Sequence, residues 1–110
     1  MGGNVHAVSS PEEFNQLLAT AAAANKAIVV DFTATWCGPC KMIKPTFAEL
    51  SEKIPSVTFL MVDVDELESV AADAGISAMP TFQIYKGGEK VDEMCGADKA
   101  KLEALITKYA

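Results

Sequence analysis

Cys37 and Cys40 stand three positions apart in Trp36-Cys37-Gly38-Pro39-Cys40, a spacing at which two thiols can close into a disulfide and open again. On one turn of helix, residues i and i+3 share a face with Cβ atoms roughly 5–6 Å apart. A modest adjustment then brings the sulfurs to bonding distance. The pair falls where a strand-like run gives way to a helical pattern, so Cys37 heads the helix. There the unpaired N–H groups and the positive end of the helix dipole favour a thiolate. Cys40, one turn in, can donate its S–H to that thiolate. This makes Cys37 the nucleophile and Cys40 the resolving thiol, with exchange running through a mixed disulfide on Cys37. Gly38 and Pro39 tune the pair: they bring neither charge nor bulk to the approach, and the first helical turn needs no backbone donor from Pro39.

Two other uses of such a pair compete. One is a purely structural disulfide, which the reducing cytosol disfavours. The other is zinc, but a structural zinc site wants four ligands, and the chain has three cysteines and one distant His6.

The elements that must hold the thiols can be read on either side of them. Residues 26–33 form a strand that is apolar on both faces except at Asp31, as expected of an inner strand covered by helices. Asp31, six positions before Cys37, is then buried. Burial raises a carboxyl pKa and makes it a better proton acceptor near neutrality; the alternative is a hydrogen-bonded structural Asp. A helix follows over about 37–53, with Met42, Ile43, Phe47, Leu50 and Ile54 as its apolar side and Pro45 expected to kink it. Upstream, Ser10-Pro11-Glu12-Glu13 reads as a capping box opening a helix that Asn25 can end. Before it, 5–8 is a short strand. Downstream come a strand over 57–62, a short acidic helix within 63–75 and a strand over 81–85. A Gly87-Gly88 hairpin turn leads to a returning strand over 90–95. Asp98 caps a last helix carrying Leu102, Leu105, Ile106 and Tyr109 inward. The order βαβαβαββα predicts parallel strands joined by crossover helices, closed by an antiparallel hairpin.

Composition narrows the function. The chain has 110 residues, half of them hydrophobic, which suits one globular domain over 1–110. A net charge of −6 excludes the basic footprint of a nucleic-acid binder and disfavours anionic lipid. No apolar run approaches the ~20 residues of a membrane span. The N-terminal residues show neither a signal-peptide core nor a transit pattern, and His6 breaks a myristoylation motif at Gly2. A cytoplasmic protein is expected.

Trp36-Cys37-Gly38-Pro39-Cys40 after Val30-Asp31-Phe32, then Met79-Pro80-Thr81-Phe82 and Lys86-Gly87-Gly88, resembles the thioredoxin family across nearly the whole chain. Phe32-Thr33-Ala34-Thr35-Trp36 and Val62-Asp63-Val64-Asp65 are most similar to the cytosolic h-type of plants and algae. The resemblance implies an α/β thioredoxin fold, a three-layer α/β/α sandwich with a central mixed five-stranded sheet and about four helices. It implies a thiol–disulfide oxidoreductase that reduces disulfide-containing client proteins through Cys37 and Cys40. No cofactor is then bound, since the two thiols carry both electrons. The protein is expected to be a monomer, re-reduced by a separate flavoprotein thioredoxin reductase using NADPH. A protein disulfide isomerase relative is a rival, but that group commonly has His where this chain has Pro39; a docking module with idle thiols is another.

Residue by residue, the resemblance implies that Asp31 takes the proton of Cys40. It implies a cis Met79-Pro80 peptide against the thiols, whose Met79 backbone binds an extended substrate segment. Gly96 matches the glycine of the family's docking surface. Trp36 would flank the thiols as a partly exposed contact. Many thioredoxins carry a Lys at the position of Met61, facing the Asp; its loss here predicts a higher Asp31 pKa than with a cationic partner. Cys95, next to Gly96, is either a small apolar strand residue or an oxidation-sensitive thiol at the docking surface. Glu66, Glu68 and Asp73 read as a solvated helix face.

Overall fold

Residues 2–110 are described by the computed structural model. Among them run β1 (Val5–Ala7), α1 (Pro11–Ala23), β2 (Ile28–Thr33), α2 (Gly38–Lys53), β3 (Thr58–Asp63), α3 (Glu68–Asp73), β4 (Thr81–Lys86), β5 (Glu89–Cys95) and α4 (Lys99–Lys108). The sheet order is β1-β3-β2-β4-β5. β1 and β2 both run parallel to β3, β4 runs antiparallel to β2, and β5 antiparallel to β4. This is the mixed five-stranded sheet and element order read from the sequence. β2 is central, flanked by β3 and β4, which explains its continuous apolar run.

Alternation along β2 sorts the core into two halves. Ile28, Val30 and Phe32 face the layer of α1 and α3, packing with Phe14, Leu60, Val62, Leu67 and Val70. Ala27 and Val29 face the opposite layer of α2 and α4, with Ile43, Phe47, Phe59, Phe82, Leu102 and Ile106. By the same alternation Asp31 lies on the α2 side. Its register partners are Met61 on β3 and Phe82 on β4, so a carboxyl stands in a row of apolar side chains.

Several local expectations are refined. Cys37 is the N-cap of α2 and not its first residue. Met42 does not join the apolar side; it is 70% exposed. The buried positions of α2 are Cys40, Ile43, Phe47, Leu50 and Ser51, an i, i+3, i+4 stripe from which Met42 is rotated away. The helix continues through Pro45. In α1, Ser10 caps as expected by accepting from the Glu13 N–H at 3.1 Å. The Glu13 carboxylate, however, reaches back to the Ser9 N–H at 2.7 Å and to His6 at 2.9 Å, so the box closes one residue early.

The N-terminal arm is held closely against α2. The Asn4 N–H donates to Ser51 Oγ at 2.8 Å, and Gly3 has φ +61 with no room for a Cβ between the Ala48 carbonyl and Ser51 Oγ. Gly3→Ala is therefore expected to cost about 1–2 kcal/mol in urea unfolding through the left-handed backbone and the clash together. Unchanged stability would mean that the arm contributes nothing to the fold.

Candidate active site

The disulfide sits where α2 begins. Cys37 and Cys40 are bonded, with their Cα atoms 5.3 Å apart. Cys37 is in extended conformation at the N-cap, and its Sγ accepts the Cys40 N–H at 3.2 Å. A side-chain acceptor at this position is what an open helix end requires. Here sulfur fills the role that Ser or Asp fills elsewhere, and a donor aimed at sulfur stabilises its anion. Pro39 occupies the first turn, where its missing N–H costs nothing.

Access to the sulfur is narrower than its uncharged neighbours suggest. Gly38 and Pro39 are exposed, but Cys37 keeps 5% of its surface and Cys40 3%. Ala34, Val64 and Met79 pack around the pair. The Met79-Pro80 peptide is cis, and the Met79 carbonyl oxygen lies 3.8 Å from Cys37 Sγ. The same stretch is tied to Gly96, whose N–H donates to the Pro80 carbonyl at 2.9 Å. Gly96 has φ +98, a conformation open to glycine at little cost. Trp36, Met79, Pro80 and Gly96 are thus brought toward the thiols by three separate segments of chain.

Trp36 is 66% exposed. Its indole N–H donates to Asp65 Oδ2 at 2.9 Å, and the Asp65 N–H in turn donates to Asp63 Oδ1 at 2.8 Å. No local pattern in the sequence signals this anchor, although its acceptor lies in Val62-Asp63-Val64-Asp65. An Asp side chain that accepts the N–H two residues on forms a common turn, as Asp63 does at the end of β3.

Asp31 lies behind the pair and is 3% exposed. Its Oδ1 has no hydrogen-bond partner. Burial pushes the carboxyl up to about 7, with Lys44 pulling it partly back. Asp31 and Cys40 meet across a cavity of about 40 Å³, whose other walls include Lys44, Met61 and Phe47. A water needs roughly 10–15 Å³ of such space, so the cavity is large enough to hold a water molecule. Lys44 is the second residue that the sequence reading passed over. It is four positions after Cys40, which puts both on one helix face.

Cys95 is exposed and free. Its Sγ is 3.3 Å from Thr81 Oγ1, its cross-strand partner. Among the described residues, no three or more His, Cys, Asp or Glu side chains are grouped to hold a metal. Glu66, Glu68 and Asp73 are exposed. No helix of the described residues is long and apolar enough to cross a membrane.

A dithiol–disulfide pair at a helix N-terminus, beside a cis proline and over a buried carboxyl, defines a dithiol–disulfide oxidoreductase. The thioredoxin family model matches residues 5–108. Thioredoxin from Mus musculus is 58% identical over 106 residues, covering 96% of this chain and 99% of that protein. The H-type thioredoxin of Chlamydomonas reinhardtii is 52% identical over 111 residues, covering 100% and 98%. The crystal structure of a thioredoxin from Nicotiana alata superposes with a TM-score of 0.94 at 43% identity, covering 99% of this chain and 95% of that one. The chain belongs to the thioredoxin family, whose members are disulfide-reducing redox carriers that bind no cofactor of their own.

Proposed function

We propose that this protein reduces client disulfides with Cys37 as nucleophile, Cys40 as resolving thiol and Asp31 as the acceptor of the Cys40 proton. The Cys37 thiolate attacks one sulfur of the client disulfide, and the other client sulfur leaves as a thiolate that picks up a proton. Cys40 then gives its proton to the Asp31 carboxylate, directly or through water in the shared cavity, and attacks Cys37 Sγ. The second client sulfur leaves, and the chain ends as the Cys37–Cys40 disulfide, having delivered two electrons. Trp36, Gly96 and the Met79-Pro80 ledge receive the client segment, with the Met79 backbone offering strand-like hydrogen bonds. Gly38 and Pro39 tune the pair.

Recycling falls to a separate flavoprotein thioredoxin reductase drawing on NADPH. The setting is the cytoplasm, with the chain acting as one domain and a monomer. The family's disulfide chemistry and the relation to h-type proteins support this.

The observation that carries the reading is the Cys37 sulfur at the N-cap of α2, accepting the Cys40 N–H. Its test is alkylation of the reduced protein by iodoacetamide across pH, followed by mass spectrometry. Cys37 is expected to react first, with a midpoint below the ~8.5 of a free thiol. Faster labelling of Cys40 would reverse the roles.

A further inference from the structure

In the sheet register Asp31 faces Met61 on β3 and Phe82 on β4, neither of which carries charge. The strands around the carboxyl therefore offer it no cation, and Oδ1 has no hydrogen-bond partner. The facing helix does offer one. α2 is placed over Asp31 by Cys40, Ile43 and Phe47, and Lys44 stands one turn after Cys40. Lys44 is exposed, yet it lines the cavity that Asp31 and Cys40 share. It also lines the open groove outside that cavity, with Cys40, Lys41, Met61 and Asp63. A lysine at such a boundary can keep its charged head in water while its stem lines apolar surface.

We infer that Lys44 is a positioning residue for the resolving step: it borders the cavity between Asp31 and solvent, and its charge governs how readily Asp31 gives up the proton it has taken from Cys40. The inference rests on the proposed role of Asp31. Among the groups around the site, Lys41 borders only the open groove, being one residue and about 100° round the helix from Cys40. Asp63 borders the same groove, its carboxylate accepting the Asp65 and Glu66 N–H groups. Thr33 on β2 and Met61 on β3 line the cavity without charge. Lys44 is thus the one cation, among the described residues, that borders both the cavity and the groove. β3 presents the uncharged Met61 to Asp31 and to the cavity wall, and the cation bordering the cavity stands on the helix instead.

The step itself is unchanged and balanced. Cys40 loses a proton to Asp31, the Cys40–Cys37 bond forms and the client thiolate leaves. The Asp31 proton then passes to solvent past Lys44, which resets the carboxylate for the next turnover.

The test uses the oxidised wild-type chain and Lys44→Met, an exposed substitution that the fold should tolerate. The Asp31 carboxyl is titrated by NMR, and decay of a mixed disulfide with a glutathione probe is followed across pH. In Lys44→Met the carboxyl midpoint should rise by roughly half a pH unit, a screened version of the usual effect of a nearby cation. The resolution profile should move up in parallel and slow about twofold at pH 7, with its high-pH plateau unchanged. Lys44→Arg should behave as wild type, and adding Met61→Lys to Lys44→Met should bring the midpoint back down. An unmoved Asp31 midpoint in Lys44→Met overturns the inference, as does a profile that loses its plateau without shifting. Failure of the underlying reading would look different: Asp31→Asn would itself resolve at the wild-type rate.

Discussion

Replacing Cys40 with Ser should leave a protein that attacks client disulfides once and then stops. Multiple-turnover reduction of insulin is expected to fall on the order of a thousandfold or more, as when one member of a catalytic unit is removed. The client should remain attached through Cys37, visible as a reductant-sensitive adduct on a non-reducing gel. The reason lies in the leaving step. Cys37 Sγ keeps its place at the N-cap of α2, and the donor at position 40 is a backbone N–H that serine also has. Attack is therefore preserved. A serine hydroxyl at position 40 is far too weak an acid to supply the second nucleophile. The substitution is close in size at a site that is 3% exposed, so the fold should survive it. Cys37→Ser should form no adduct at all. Turnover above a tenth of wild type in Cys40→Ser would move the resolving role to another thiol, and Cys95 is free and exposed.

Asp31→Asn should make the protein more stable and slower at once. The carboxyl titrates near 7 in the folded chain against 3.8 for the unperturbed group, because burial disfavours its charge. Between those two values the folded state holds a proton that the unfolded state has released. Stability therefore falls as pH rises from about 4 to about 7 and is level above that. Three pH units correspond to roughly 4 kcal/mol. Asparagine removes the buried charge but brings an amide that also lacks partners. The expected gain is then about 2–4 kcal/mol at pH 8–9 by chemical denaturation, fading toward pH 4. In the same variant, resolution of the mixed disulfide at pH 7 should slow roughly 10- to 100-fold, with formation of the mixed disulfide unaffected. A gain at pH 4 as large as that at pH 8 would detach the stability effect from ionisation.

Much of this was legible in the chain because it is written in local rules. Two-residue alternation and uninterrupted apolar runs give the strands. The Ser10-Pro11 start, the Asp98 cap and the Gly87-Gly88 turn give their connections. The position of Cys37 before a helix gives the active pair. What stayed hidden depends on which faces meet. Met42 looked apolar enough to be inside, and only the phase of α2 against the sheet turns it out to 70% exposure. Lys44 lies on an exposed face of α2, and only the fold shows that it borders the cavity of a carboxyl whose strand partners, Met61 and Phe82, are uncharged. The bond from Trp36 to Asp65 spans 29 residues and joins two loops that no local pattern connects. Glu13 satisfies Ser9 in place of Ser10, a one-residue difference that propensity cannot resolve.

The cap at the start of α2 bears on how little the backbone must rearrange during electron transfer. The Cys37 sulfur is the helix's terminal acceptor while it is bonded to Cys40. As a thiolate it is a stronger acceptor for the same N–H, and in a mixed disulfide the sulfur still carries lone pairs that can accept it. The Cys40 N–H thus has the Cys37 sulfur as an available acceptor throughout the cycle, so the cap itself does not require the helix end to fray and reform. Oxidised and reduced chains can share one backbone, and a partner that reads the oxidation state must read it at the sulfurs and their immediate rim.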